Sequence, residues 1–214
     1  MGLGKTIQTA AFLRTLNDSF GNRGPFLVVA PLSTVVQWYR EMSKWTDLNV
    51  VLYTGNAADR AMIREYEFAF ITDRPDRLRG RQKYLKNCHK GMQYSSGKVW
   101  MMQVVITTPE TLLSKDQDEL MSVDWEMLIV DEAHNRLKSQ SSKFAMCLRQ
   151  ENFLYRHCLL LTGTPIQNHM GELWTLLNVI DPNVFADLGY FLGRFGSMQG
   201  KERVDELHEV IRPY

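Results

Sequence analysis

Short apolar runs recur along the chain: Phe26-Leu27-Val28-Val29-Ala30, Val50-Val51-Leu52-Tyr53, Val104-Val105-Ile106, Met127-Leu128-Ile129-Val130 and Cys158-Leu159-Leu160-Leu161. They are continuous rather than alternating and partly β-branched, so they predict strands buried on both faces, as in a parallel sheet. Between them the period changes. Val35, Trp38, Met42 and Trp45 follow helical spacing behind Ser33, a capping candidate, and Leu173, Leu176, Leu177 and Ile180 do the same later. A third stripe, Val204, Leu207 and Ile211, precedes Pro213, a helix stop. Each stripe predicts a core-facing helix. Strand and helix alternating in this way indicate an α/β fold, doubly wound, with a mostly parallel sheet and right-handed crossovers. No internal repeat is present.

Composition narrows the class. With 214 residues, 44% hydrophobic and 23% charged, the chain resembles an ordinary globular domain and neither a disordered nor a fibrous one. A chain of this length buries roughly 70% of its extended surface, which removes the need for disulfide staples. The longest apolar stretches, Pro25 to Leu32 and Met127 to Val130, fall far short of the roughly 20 residues that span a bilayer, so no membrane helix is expected. Cys88, Cys147 and Cys158 are odd in number and lack C-x-x-C spacing, which favours free thiols in a reducing compartment over a disulfide framework or a zinc site. The opening Met1-Gly2-Leu3-Gly4-Lys5-Thr6 is unlike a secretory signal.

Charge is unevenly spread. Formal net charge is +1, yet residues 72–98 hold Arg74, Arg77, Arg79, Arg81, Lys83, Lys86, Lys90 and Lys98 against Asp73 and Asp76, a local +6. With Pro75, Gly80, Gly91 and Gly97 and little apolar periodicity, this segment reads as a basic loop inserted into the domain. It is either a solvated insertion or an auxiliary phosphate clamp.

Three short segments carry chemistry. Gly2-Leu3-Gly4-Lys5-Thr6, followed by the helical run Ile7, Ala10, Ala11 and Leu13, has the makings of a phosphate-binding loop. Its glycines let backbone N–H groups wrap anionic oxygens, the helix N-terminus adds partial positive charge, Lys5 reaches terminal phosphates and the Thr6 hydroxyl can ligate Mg²⁺. Alone it could also be a flexible glycine-rich end. Met127 to Val130 then delivers Asp131 and Glu132 at the carboxyl end of a strand, where α/β sheets bind ligands. Asp131 would hold the Mg²⁺ shell, and Glu132 would orient or deprotonate an attacking water. The third, Leu161-Thr162-Gly163-Thr164-Pro165-Ile166-Gln167-Asn168, would sense a γ-phosphate and hydrogen-bond toward His134.

Taken in order, Gly-Leu-Gly-Lys-Thr-Ile-Gln-Thr, Val29-Ala30-Pro31-Leu32-Ser33-Thr34 with Trp38, Ile106-Thr107-Thr108-Pro109-Glu110, Asp131-Glu132-Ala133-His134 and Leu161 to Asn168 resemble the first-lobe motifs of the Swi/Snf-like chromatin-remodelling ATPases. The likeness continues through Glu172 to Asn178, Ile180-Asp181-Pro182, Phe195-Gly196 and Leu207 to Tyr214. Ala61 to Glu67 and Val105 to Thr108 are most similar to the chromodomain-helicase-DNA-binding subfamily.

The resemblance implies a RecA-like P-loop NTPase lobe that lacks its first strand. Residues 1–214 would be the N-terminal ATP-binding lobe, as a fragment, with basic loop 72–98 and an inter-lobe segment 183–214. The activity implied is ATP-driven translocation on double-stranded DNA that remodels nucleosomes in the nucleus, with ATP and Mg²⁺ as cofactors. Gly2, Leu3, Gly4, Lys5 and Thr6 would bind nucleotide, Thr6 and Asp131 the metal, and Lys5, Asp131, Glu132, His134 and Gln167 would form the catalytic set. Pro31, Leu32, Ser33, Thr34, Thr107, Thr108 and Pro109 would meet one DNA strand, mainly at phosphates.

Departures matter too. The family carries an aspartate-glutamate pair just before the methionine that precedes Gly-Leu-Gly-Lys-Thr, so Met1 is expected to be internal. The second lobe, which supplies arginines to the ATP site, lies outside the chain. Asn135 reads as one inserted residue, which shifts Arg136 and Lys138 relative to the family pattern. A truncated, non-catalytic remnant acting as a DNA- or protein-binding module is the competing interpretation. A DEAH-type RNA helicase shares the acid motif, but Pro31-Leu32-Ser33-Thr34 with Trp38 and the long Leu161 to Asn168 run speak against it. Trp38 could stack on bases, although its register with Val35 and Met42 favours a packed core position.

Overall fold

Five parallel strands form the sheet: β1 (Phe26–Val29), β2 (Val50–Leu52), β5 (Val104–Thr107), β6 (Trp125–Val130) and β7 (Tyr155–Leu160), in the order β2-β5-β1-β6-β7. Two-residue strands β3 (Tyr94–Ser95) and β4 (Lys98–Val99) make a separate antiparallel ladder. The computed structural model describes residues 4–68, 94–95, 98–114, 118–137, 142–163, 170–196 and 201–214. Apart from the β3–β4 ladder, basic segment 72–98 lies outside the described residues.

β1 is central, pairing with β5 through Phe26↔Val104 and Val29↔Thr107 and with β6 through Phe26↔Met127 and Val29↔Val130. Successive side chains point to opposite faces, so a strand covered on both sides must be apolar at every position. Phe26, Val28, Val104, Ile106 and Ile129 face one helical layer, whereas Leu27, Val29, Val105, Leu128 and Val130 face the other. The first layer is α1 (Lys5–Phe20) and α2 (Val35–Trp45), which contribute Ala10, Leu13, Val35, Trp38 and Met42. The second includes Leu112, Leu120, Phe144, Leu148, Leu176 and Val179. The C-terminal helices Met170–Ile180, Leu188–Phe195 and Lys201–Ile211 close around Leu173, Trp174, Leu177, Phe185, Phe191, Phe195 and Leu207.

The predicted strands and helices are present, with local differences; of the last stripe Leu207 and Ile211 join the C-terminal cluster, and the side chain of Val204 lies outside the described residues. Thr34, and not Ser33, stands at the N-cap position of α2, but its side chain accepts no bond from the helix; its hydroxyl donates to the Pro31 carbonyl at 3.1 Å. Trp45 is 42% exposed, because α2 ends there and the chain turns so that Leu48 joins the core. The Trp45 indole donates to Glu41 Oε2 at 2.7 Å. On α1, Ile7 and Ala11 face outward while Ala10 and Leu13 are buried. β7 is only half buried, since among the described residues it pairs with β6 alone and forms an edge. α3 (Ala57–Ile63) was not anticipated, although its capping box, Asn56 and Asp59 exchanging side-chain and backbone bonds, is legible in the sequence. No helix among the described residues is long and apolar enough to cross a membrane.

Burial pushes the Cys147 thiol up to about 11 and the Cys158 thiol up to about 12. An acid whose folded value is raised favours its neutral form in the native state. That contribution is therefore complete below the unfolded value of about 8.5 and is lost as pH rises through the folded values. With Cys88→Ser removing the third thiol, labelling by a thiol reagent at pH 8 should be slow and should accelerate by more than about a hundredfold in denaturant, following the thiolate fraction, with Cys158 gaining more than Cys147. Equal rates in native and unfolded chains would show that the two thiols are not held neutral by burial.

Candidate nucleotide and nucleic-acid site

Because the five strands are parallel, all their carboxyl ends lie along one edge of the sheet, the place where open α/β sheets bind ligands. Four of the segments that leave this edge carry expected site residues. They are Ala30–Thr34 after β1, Thr108 onward after β5, Asp131–His134 after β6 and Leu161–Gly163 after β7. The N-terminus of α1 brings Lys5 to the same place.

Gly4 adopts the left-handed conformation, φ 72° and ψ 23°, at the start of α1. A Cβ there would meet nothing within 4 Å, so glycine serves the left-handed backbone conformation and not the space around it. Lys5 Nζ lies 3.4 Å from Glu132 Oε1 and 4.0 Å from Asp131 Oδ1. A Cβ built on Gly163 would come within 3.8 Å of the same ammonium, so the segment after β7 closes over it.

Asp131 is 8% exposed. Its Oδ2 accepts the indole N–H of Trp38 at 2.8 Å, and its Oδ1 accepts the main-chain N–H of Glu132 at 3.0 Å. Glu132 is the single non-glycine residue with positive φ among the described residues, at φ 50° and ψ 44°. Left-handed backbone at a branched-out side chain costs about 1 kcal/mol and is tolerated where surrounding contacts hold it. Here those contacts are the bonds of Ala133 N–H to the Leu161 carbonyl at 3.0 Å and Leu161 N–H to the Val130 carbonyl at 2.8 Å. They turn the chain sharply after β6 and leave both acids facing Lys5. His134 Nδ1 lies 2.7 Å from Thr162 Oγ1 and 3.5 Å from Glu132 Oε2, so the expected link between the acid motif and the segment after β7 is made.

One ammonium therefore sits between two carboxylates, a local excess of negative charge that suits a further cation. Lys5 could exchange its carboxylate partners for phosphate oxygens, and Asp131 and Thr6 could hold Mg²⁺. Among the described residues there is no cluster of three or more His, Cys, Asp or Glu able to hold a metal ion. Mg²⁺ needs none, because with nucleotides it takes one or two protein oxygens, phosphate oxygens and water. The residues present fit a magnesium nucleotide.

The expected nucleic-acid residues divide in two. Leu32 is 71% exposed, Ser33 is exposed, and Pro31 and Thr34 are half buried at the start of α2. Thr107, Thr108 and Pro109 are buried. Thr107 donates its hydroxyl to the Tyr53 carbonyl at 2.8 Å, while Thr108 caps the Pro109–Leu112 turn by accepting from Thr111 N–H at 3.2 Å. Arg136 pairs with Glu110 Oε1 at 2.9 Å. Gly2, Leu3, Gln167 and Lys138 lie outside the described residues. The bond from Trp38 to Asp131 was not anticipated; its signal was a tryptophan in a core stripe, whose buried N–H needs an acceptor.

A family model described as SNF2-related domain matches residues 1–214. Chromodomain-helicase-DNA-binding protein 3 homolog of Caenorhabditis elegans is 40% identical over 215 residues, covering 100% of this chain and 11% of that protein. Human chromodomain-helicase-DNA-binding protein 8 is 38% identical over 213 residues, with 100% of this chain and 7% of that protein covered. The chain thus spans about a tenth or less of the length of these relatives. Among solved structures, the Sulfolobus solfataricus SWI2/SNF2 ATPase core in complex with dsDNA superposes with a TM-score of 0.71 at 25% identity, covering 100% of this chain and 37% of that one.

Proposed function

The chain belongs to the SNF2-related domain family, and from that premise we propose that it is the ATP-binding lobe of a nuclear translocase that moves along double-stranded DNA and remodels nucleosomes. The observation that carries this reading is the meeting of Lys5, Asp131 and Glu132 at the carboxyl edge of the sheet. A non-catalytic remnant would have no reason to keep all three in register, together with the left-handed Glu132.

In this role, Gly2 to Thr6 wrap the phosphates and Lys5 leaves its carboxylate partners to neutralise the terminal oxygens. Thr6 and Asp131 would hold Mg²⁺, which would supply charge neutralisation to the phosphates. Glu132, released from Lys5, orients or deprotonates water, while His134 and Thr162 tie that carboxylate to the segment leading to Gln167. Leu32, Ser33 and Thr34 are the accessible candidates for contact with a DNA strand. Thr107 and Thr108 would act from behind, by shaping the edge rather than by offering their hydroxyls. A second lobe would complete the ATP site with arginines, segment 183–214 would lead toward it, and basic loop 72–98 would add phosphate contacts.

The test separates binding from turnover. The 214-residue chain should bind Mg²⁺·ATP and bind duplex DNA with an affinity that falls steeply with salt, yet hydrolyse ATP negligibly, because arginine fingers contribute about 10³–10⁵ in rate in comparable phosphoryl transfer. Absence of nucleotide binding would sink the proposal. DNA-stimulated turnover at an ordinary motor's rate, lost in Lys5→Ala, would overturn the need for a second lobe.

A further inference from the structure

We propose that Trp38 is a positioning residue for the magnesium-holding carboxylate of Asp131. The inference rests on the nucleotide-site reading above and adds to it a residue that none of the motif roles includes. Trp38 is 1% exposed, in the core between α2 and the sheet, and its indole N–H reaches Asp131 Oδ2 at 2.8 Å although the two residues stand 93 positions apart. The length is that of a charge-assisted hydrogen bond. The other carboxylate oxygen, Oδ1, is held by the N–H of Glu132 at 3.0 Å, with Lys5 Nζ a further 4.0 Å neighbour.

The two oxygens are thus fixed from two elements, one by the backbone that follows β6 and one by a rigid ring on α2. An indole N–H donates only, and keeps its proton through the working pH range. It therefore points one lone pair of Asp131 inward and leaves the rest of the carboxylate for the metal side. Outer partners of metal-binding carboxylates commonly carry ten- to hundredfold in metal affinity. A tryptophan present only for volume would not need its nitrogen aimed at a buried acid.

Trp38→Phe keeps a ring and removes the donor. Titrating a fluorescent ADP analogue, with Mg²⁺ and separately with EDTA, should show about tenfold weaker binding of the variant with Mg²⁺ and an unchanged affinity with EDTA. The wild-type chain supplies a second measurement that needs no substitution at position 38. The ¹⁵N–¹H indole resonance of Trp38 should shift when Mg²⁺·ADP is added, and should not shift with ADP and EDTA. Equal Mg²⁺ dependence in wild type and Trp38→Phe, or an indole resonance indifferent to Mg²⁺·ADP, overturns the positioning role while leaving the nucleotide site intact. If Lys5→Ala binds Mg²⁺·ADP as well as wild type does, the site reading itself fails and the inference falls with it.

Discussion

Lys5→Ala should weaken Mg²⁺·ATP binding by at least about a hundredfold, the largest loss expected from any single change at the site. A charge-assisted contact to phosphate from a three-quarters-buried ammonium contributes roughly 3 kcal/mol, and each 1.4 kcal/mol is a decade in affinity. The same change leaves Asp131 and Glu132 side by side without their cation, so the nucleotide-free chain should also lose on the order of 1 kcal/mol of stability. Glu132→Gln provides the contrast. It retains the shape and the hydrogen bond from Lys5, so affinity should stay within about threefold, while turnover in the assembled two-lobe motor should fall by at least about 10² for loss of the base. Calorimetric titration of wild type and both variants checks the pair. Near-equal affinity in Lys5→Ala would place the phosphates elsewhere.

Trp125→Ala should destabilise the fold by about 4 kcal/mol, a large fraction of the 5–15 kcal/mol that holds a typical domain together. Trp125 opens β6 at 1% exposure, and its indole donates to the Leu120 carbonyl at 2.8 Å. Truncation empties a ring-sized volume against the second helical layer and orphans that carbonyl. Trp45→Ala, at 42% exposure and the end of α2, should cost less than about 1 kcal/mol. Urea unfolding followed by circular dichroism distinguishes the two. Comparable losses at both positions would mean that Trp45 packs as its helical spacing alone suggested.

The proposed nucleotide site is assembled from parts that are individually weak. The lysine helix, the acid strand and the segment after β7 come from residues far apart in the chain, and the parallel sheet brings their ends to one edge. The left-handed turn at Glu132 belongs to this assembly: backbone bonds linking Ala133 to Leu161 and Leu161 to Val130 sustain it, so the segment after β7 supports the geometry of the acid motif as well as covering Lys5.

The linear sequence determined the strands, the helix stripes and the residue types proposed for the nucleotide site. A strand covered on both faces has to be apolar at every position, and a helix on a sheet has to repeat every three or four residues. Phosphate and Mg²⁺ chemistry requires a lysine loop and paired acids whatever the surroundings. Tertiary structure alone decided the relations that periodicity does not encode. It turned Trp45 outward because α2 ends there, half exposed β7 as the sheet's edge, and took the hydroxyls of Thr107 and Thr108 into internal bonds. It also joined Trp38 to Asp131. Spacing along one element says which face is buried, but the acceptor that meets a buried N–H depends on strand order and on where a distant helix lies, and those are fixed only when β1, β6 and α2 pack together.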